Sequence, residues 1–451
     1  MRPHALTLPL AFATLFTLTA CATAPNGQTV PYQPLATVNT ADGLPLTINH
    51  GGFGSDAAAH PHTPNQFYAL TDRGPNLDTK GAHGAGKIFP TPDFTPSIGL
   101  FAIGPDQSIT LLKTIPLKNR HGEPISGLPN PPGMGGTLEV PYRLDNRVIT
   151  VDPNRPYDPN TNPIRWDEHG LDSEGLAALK DGTFWVSDEY GPHMVHFDAN
   201  GVEIGRINPF SQDVRAEFNL PAEWANRRPN RGMEGLTISP DQTTLVGIMQ
   251  SALANPNKAA QKSDLTRLVS VDLKTGQTKQ YLYPQAIAEN SNSGIMALAN
   301  GQFLVIERDG KFALKKPEAM KHVYQIDLSL ATDLNAIPAG GAFSHDPQLG
   351  LLINGQTLEQ YRLSHDWADL ALLGIRPAQK TLVADLVQSL NYPHDKFEGL
   401  WLLNADTLAV INDDDFSIWT TDNQPEPKYL DPERRRIDHN TVYTLPFKPH
   451  A

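Results

Sequence analysis

The 451 residues contain one cysteine, Cys21. A mature chain with no second thiol forms no internal disulfide, and a thiolate zinc site is excluded with it. Basic runs are equally scarce. Apart from Arg434-Arg435-Arg436 there is no Lys/Arg stripe, and 36 bases against 49 acids leave a formal charge of −13. Such a surface repels polyanions, so nucleic acid is not an expected partner. No Gly-x-Ser-x-Gly elbow and no His-Glu-x-x-His occur, which removes the usual serine-hydrolase and zincin routes. Past the first twenty residues no segment reaches the roughly 18 apolar residues of a spanning helix. Proline is plentiful instead, 40 residues with 35 glycines, and each proline removes a helix donor, so bundles and helical solenoids fit poorly.

The N-terminus has its own logic. Met1-Arg2-Pro3-His4 precedes Ala5 to Ala20, a stretch without acid or base, which reads as a signal peptide. It ends Leu18-Thr19-Ala20-Cys21, which resembles a bacterial lipobox with Cys21 as the lipidated residue. Ala22 in place of an aspartate favours the outer membrane. The expected organisation is a signal peptide over 1–20, a lipid-anchored tether over 21–40, and one domain over 41–451 in an envelope lipoprotein facing periplasm or exterior.

The domain is repetitive. Asp172-Ser-Glu-Gly-Leu, Gly232-Met-Glu-Gly-Leu, Asn292-Ser-Gly-Ile and Phe397-Glu-Gly-Leu each open a short β-type run, followed by a turn and a second apolar run; Gly54-Ser-Asp-Ala-Ala is a weaker copy. The register Gly175, Gly235, Gly294, Gly399 gives steps of 60, 59 and 105. Four short strands per period in this range predict an all-β chain, a β-propeller. Five copies are visible, and the long step leaves room for one more, so about six four-stranded blades are expected. Residues 119–170, rich in proline, read as a long loop insertion. Thr441-Val-Tyr-Thr-Leu is a strand placed to close the ring beside N-terminal sequence.

In a propeller the equivalent repeat positions meet around one axis. Glu174, Glu234 and Glu398 share one slot, with Ser293 in the fourth copy. Asp72, Asp188, Gln250, Glu307 and Asn412 share a second slot at the end of the next strand, which runs on into Arg73, Glu189, Arg308 and Asp413. Gathered carboxylates repel one another, so they share protons or hold a cation. Hard oxygen donors in this number suit Ca²⁺ best, with Mg²⁺ or Mn²⁺ as alternatives. Gly81-Ala-His-Gly-Ala-Gly86-Lys87 has phosphate-loop spacing but Ile88 where a hydroxyl is needed, and reads as a mobile glycine loop.

At Leu171-Asp-Ser-Glu-Gly-Leu-Ala, Trp185-Val-Ser-Asp-Glu-Tyr-Gly-Pro-His193, Asn230-Arg-Gly-Met-Glu-Gly-Leu-Thr, Ile306-Glu-Arg-Asp309 and Lys396-Phe-Glu-Gly-Leu, the chain resembles the bacterial "esterase-like activity of phytase" (phytase-like) family, over about residues 45 to 447. The resemblance implies a propeller that hydrolyses phosphoric esters. It implies a small anionic phosphate ester as substrate, with Ca²⁺ held by acids from among Glu174, Glu234, Glu398, Asp72 and Asp413. Arg73, Arg231, Arg308, Lys396 and His193 would bind substrate, and Glu189, Asp188 and Glu307 would be the catalytic carboxylates. The third copy lacks the repeated glutamate. A lactone or carboxylic-ester hydrolase, and a non-catalytic ligand- or protein-binding propeller, remain open alternatives. Oligomeric state leaves no trace in the sequence.

Overall fold

The computed structural model describes residues 27–449 except 41 and 423. Cys21, the signal peptide and the start of the tether lie outside the described residues. Among those described, no helix is long and apolar enough to cross a membrane.

Five sheets, antiparallel except for one short outer strand, follow one another around an axis. Blade I consists of Asp56–Ala59, Gln66–Leu70, Ser97–Ile103 and Ile109–Pro116. Blade II runs from Ser173–Ala178 through Phe184–Asp188 and Met194–Phe197 to Glu203–Asn208, with Phe218–Asn219 added outside. Blade III is Met233–Ile238, Thr244–Met249, Leu265–Asp272 and Thr278–Pro284. Blade IV is Ser291–Ala297, Phe303–Arg308, Lys321–Asp327 and Gln379–Asp385. Blade V joins Gly399–Asn404, Thr407–Ile411 and Thr441–Pro446 to the N-terminal Gln28–Thr29.

The innermost strands touch in the cyclic order I, II, III, IV, V and back to I. The ring is therefore closed at five blades, not six. The 105-residue step that suggested another blade is spent inside blade IV. Between its third and fourth strands the chain makes an excursion carrying a small sheet, Phe343–Asp346 with Gly350–Ile353, and the helices Leu358–Arg362 and Trp367–Leu372. This excursion packs on blade III through Leu265, Leu282, Leu334 and Leu370. The segment expected to be a tether is partly folded too, since Gln28–Thr29 completes blade V and Gln33–Asn39 pairs with Pro45–His50. The expected closure by the C-terminal strand is present.

The core is five wedges between neighbouring sheets. Leu70 and Ile98 meet Leu176 and Val186, and Trp185 and Met194 meet Met233 and Leu245. Ile248 and Leu268 meet Ile295 and Val305, and Ile306 meets Leu400 and Val410. Phe67 and Phe101 meet Trp401 and Ile411. Middle strands are thus covered on both faces, which explains why they read as continuous apolar runs.

The repeated glycine has a steric cause. A Cβ on Gly175 would lie 2.5 Å from the backbone nitrogen of Leu236 in the next blade, and one on Gly294 would lie 2.6 Å from the Glu398 carbonyl oxygen. Inner strands approach so closely near the axis that no side chain fits there. The residue before the glycine is displaced by a bulge. One extra residue interrupts the register between Ser173 and Leu176, between Met233 and Gly235, and between Asn292 and Gly294. Bulges release a side chain from strand alternation, and in these copies the released residue is Glu174, Glu234 or Ser293.

Three small sheets form a cap beside one end of the axis. Leu77–Gly81 and Gly84–Ile88 pair as a hairpin to which Val140–Tyr142 adds in parallel, so the glycine-rich stretch is strand and turn, not a mobile loop. The hairpins Gln33–Asn39/Pro45–His50 and Ile418–Thr421/Gln424–Pro427 complete the cap. All share one apolar cluster that includes Ile48, Leu77, Val140, Tyr142 and Ile418. The insertion over 119–170 is fixed to the blades by Arg227, whose guanidinium donates to the carbonyls of Tyr190, Gly135 and Gly136.

Candidate functional site

A cavity of about 380 Å³ opens at the capped end of the axis. Its floor holds the bulge residues Glu174 and Glu234 together with Glu398. Its walls come from the ends of the second strands, which supply Asp72, Arg73, Glu189, Gln250 and Arg308. Loops add Asp172, Asn230, Arg231, Asp395 and Lys396, while the cap contributes Asn76, Asp78, Lys87 and Trp419. Nine carboxylic acids face five bases there, so the cavity is acidic overall and a dianionic ligand needs a compensating cation.

The acids fall into two groups with different electrostatics. Asp72, Asp413 and Asp415 place carboxylate oxygens within 4.8 Å of one another. That group is already neutralised. Lys396 Nζ lies 2.5 Å from Asp413 Oδ2 and 2.7 Å from Asp415 Oδ1, and buried Lys428 reaches Asp415 Oδ2 at 2.6 Å. Burial pushes the Asp415 carboxyl up, but the two ammonium groups outweigh it and hold the pKa far below the usual range.

The second group is Asp172, Glu174 and Glu189, again with oxygens within 4.8 Å. Its internal compensation is thin. Arg73 Nη1 stands 3.2 Å from Asp172 Oδ2, and Gln250 Nε2 donates to Glu189 Oε1 at 2.7 Å. Among the described residues nothing donates to Glu174. Burial pushes Glu174 well up, and the charges of Glu234, Asp172 and Glu398 push it further. Glu189 is raised by burial, then by Glu234 and Asp172, against the pull of Arg73 and Arg231. The same Gln250 amide also donates to Glu234 Oε2 at 2.8 Å, and its own buried Oε1 has no hydrogen-bond partner.

The basic side differs residue by residue. Arg73 is committed to Asn230 Oδ1 at 2.8 Å as well as to Asp172. Arg308 pairs through Nη2 with Glu398, and its buried Nε has no partner. Burial lifts Glu398 to about 8 even against Lys396 and Arg308. Among the described residues the Arg231 guanidinium reaches only Ser291 Oγ, at 3.3 Å. Its pKa is lowered by burial and then by neighbouring Arg228, the condition of a guanidinium short of a counter-anion.

Of the sequence-predicted residues, Arg73, Arg231, Arg308, Lys396, Glu174, Glu234, Glu398, Asp72 and Glu189 all line this cavity. Asp413 lies behind the wall, bound to Lys396. Three further predicted residues also have no face on the cavity. Asp188 is fully buried and accepts from the backbone N–H groups of Asp172 and Gly191 at 2.8 and 3.0 Å. It shapes the turn that presents Asp172 and Glu189. Burial raises it to about 7. Glu307 is saturated by the Tyr283 hydroxyl, the Ala286 N–H, the Asn290 amide and Lys380, at 2.6 to 2.9 Å. No lone pair is left for a substrate.

His193 is also buried, with Nε2 3.0 Å from the Met134 carbonyl oxygen, to which the neutral ring donates. Burial, then Arg206, lowers its pKa to about 3. As pH falls, the unfolded chain therefore takes up this proton first. The stability His193 confers is present above about pH 6.5 and is lost as pH falls toward 3, about 2 kcal/mol of it by pH 5. His193→Gln should flatten the fall in urea midpoint between pH 7 and pH 5. An unchanged slope would mean that the ring is not neutral and buried as described.

Residues that the repeat did not single out are Asp172, Asn230 and Asp395. Asp172 sits two positions before the recurring Glu, where the other copies have Gly232 and Lys396, so no periodic signal marked it. Asp415 lies in the Asp413-Asp414-Asp415 run, whose adjacency in sequence gives no clue that Asp414 turns inward to Ser417 and Asn440.

A family model described as "Esterase-like activity of phytase" (phytase-like) matches residues 48–416. An uncharacterized secreted protein of Arthroderma benhamiae is 26% identical over 348 residues, 61% of this chain, and the match spans 66% of that protein's length. Among solved structures, virginiamycin B lyase from Staphylococcus aureus covers 92% of this chain, with 99% of its own length matched, at 10% identity and TM-score 0.29. A PQQ-bound aldose sugar dehydrogenase from Streptomyces coelicolor covers 94%, with 100% of its own length matched, at 11% identity and TM-score 0.31. Scores this low do not align individual blades or site residues.

Proposed function

From the premise that this chain belongs to the phytase-like family, we propose that it is a hydrolase of phosphate monoesters that works at the axial cavity with a divalent cation, Ca²⁺ before Mg²⁺ or Mn²⁺. The observation that carries the reading is the under-compensated trio Asp172, Glu174 and Glu189 facing Arg231 and Arg308. All its donors are carboxylate oxygens, the chemistry that alkaline-earth cations take. The Gln250 Oε1, buried and without a partner beside Glu189 and Glu234, adds a neutral oxygen to the same wall. The Asp72 group fits a metal less well because Lys396 already occupies it.

A cation held by Asp172, Glu174 and Glu189 would cancel their repulsion and stabilise charge on phosphoryl oxygens. The chain's own groups supply the rest. Arg231, with one weak partner, and the free Nε of Arg308 are placed to bind a phosphate, a task suited to the planar guanidinium. Arg73, fixed by Asn230 and Asp172, orients the carboxylates and does not swing. Glu234, raised by burial despite Arg308 and Gln250, is the carboxylate left to accept a proton from water. The glutamate expected to be a general base, Glu189, becomes a cation ligand in this arrangement. Export of the chain accords with the Arthroderma relative being described as secreted.

Thermal unfolding in EDTA, then with Ca²⁺, Mg²⁺ or Mn²⁺, tests the reading alongside turnover of a phosphate monoester and a lactone. A ligand that binds only the native state raises the melting temperature, so Ca²⁺ should raise it and monoester hydrolysis should depend on the same ion. Lactone turnover with no phosphate ester turnover would move the function to carboxylic esters. A melting temperature indifferent to all three ions would remove the cation.

A further inference from the structure

Trp419 is 43% exposed and belongs to two cavities at once. One of its sides walls the axial cavity. The other borders a second cavity of about 310 Å³, shared with Phe312, Lys315, Tyr429 and Arg434. The Phe312 and Trp419 rings stand edge to face with centroids 6.5 Å apart. Lys428 Nζ lies 5.7 Å from both centroids, and the same nitrogen contacts Asp415, an axial-cavity residue, at 2.6 Å. Lys428 therefore links the aromatic pair to Asp415 on the cap side of the axial cavity.

The second cavity also reverses the charge of the first. Lys315, Lys428 and Arg434 outnumber Glu426 and Asp431. Lys428 is consumed by Asp395, Asp415 and Asp438, and Arg434 by Glu426. Lys315 donates to the Tyr429 carbonyl oxygen at 2.6 Å and lies 4.1 Å from the Phe312 centroid, with no carboxylate partner among the described residues. Aromatic walls beside an uncompensated ammonium select a flat, electron-rich guest. A free metal ion would gain little there.

We infer that this second cavity receives the alcohol half of the ester, and that this half is aromatic. The inference rests on the reading that the axial cavity binds the phosphoryl group. It adds a substrate class, esters of aromatic alcohols, that the axial residues alone do not specify, and it gives Trp419 and Phe312 the role of specificity determinants.

Phenylphosphonate and methylphosphonate separate the two ideas, because neither has an ester bond to break. Calorimetric titration of the mature protein in Ca²⁺ should show phenylphosphonate binding about tenfold or more tightly than methylphosphonate, a gain of the size aromatic contacts give. Phe312→Ala and Trp419→Leu should each shrink that preference by lowering phenylphosphonate affinity, with melting temperature confirming that the variants fold. Equal affinities in the wild type, or a preference untouched in the double variant, would overturn the aromatic subsite while leaving the axial reading intact. If neither phosphonate binds, the axial anion site fails and the subsite falls with it.

Discussion

Glu174→Gln should abolish the calcium-dependent rise in melting temperature and lower phosphomonoester turnover about 100- to 1000-fold, the loss typical when one preorganised electrostatic group is removed, while the metal-free protein stays folded. Among the described residues Glu174 receives no donor, and it is crowded by Glu234 and Asp172. Replacing it with an amide of equal shape relieves repulsion, so the melting temperature in EDTA should hold or rise. Asp413→Asn is the control, since Asp413 is neutralised by Lys396 at 2.5 Å and the calcium shift should survive its loss. The assay is differential scanning fluorimetry with and without Ca²⁺, paired with initial rates. A Glu174→Gln protein that keeps the full shift and rate would refute the trio as the cation's seat.

Arg267→Met should cost about 3–5 kcal/mol of stability, the usual penalty for breaking a buried ion pair from one side. Arg267 on blade III is fully buried and donates to Glu359 at 2.7 and 3.1 Å and to Gln280 at 3.1 Å, with Glu223 at 3.4 Å. Glu359 belongs to the excursion inside blade IV, and Glu223 to the turn that follows blade II, so one guanidinium ties three parts of the chain. Without it, two carboxylates are left buried with little compensation. Adding Glu359→Gln should recover part of the loss, because it removes one stranded charge. Chemical denaturation measures both variants. A shift below 1 kcal/mol would show that the network tolerates the loss. Calcium binding should be unaffected, since none of these residues lines the axial cavity.

The architecture was legible because its two sequence signatures have direct physical causes. Glycine recurs where inner strands of adjacent blades nearly touch, and glutamate recurs beside it where a bulge frees a side chain toward the axis. Both are local to the repeat. The blade count was not legible, because Gly294 to Gly399 is long enough for an extra blade or for an excursion, and only the contact between Ser291–Ala297 and Gly399–Asn404 decides. The cap was missed for a related reason. Ile48, Leu77 and Val140 share one cluster with Ile418, which lies far along the chain, and short hairpins carry little periodic signal. Within the site, repeat position brought the right acids together yet could not rank them. Lys396 silences one cluster and Gln250 bridges Glu189 to Glu234, and both facts depend on side-chain directions across different blades. Glu307 and Asp188 looked equivalent to their partners by position, but Lys380 and the Gly191 N–H claim their oxygens.

Blade V is built from opposite ends of the polypeptide, with Gln28–Thr29 lying against Thr441–Pro446. The circle is fastened by a pairing that spans most of the described chain, Gln28 against Val442. Until Thr441–Pro446 docks, blade V has only its two inner strands, so the wedges it shares with blades I and IV lack Val442, Tyr443 and Leu445 and stay partly uncovered.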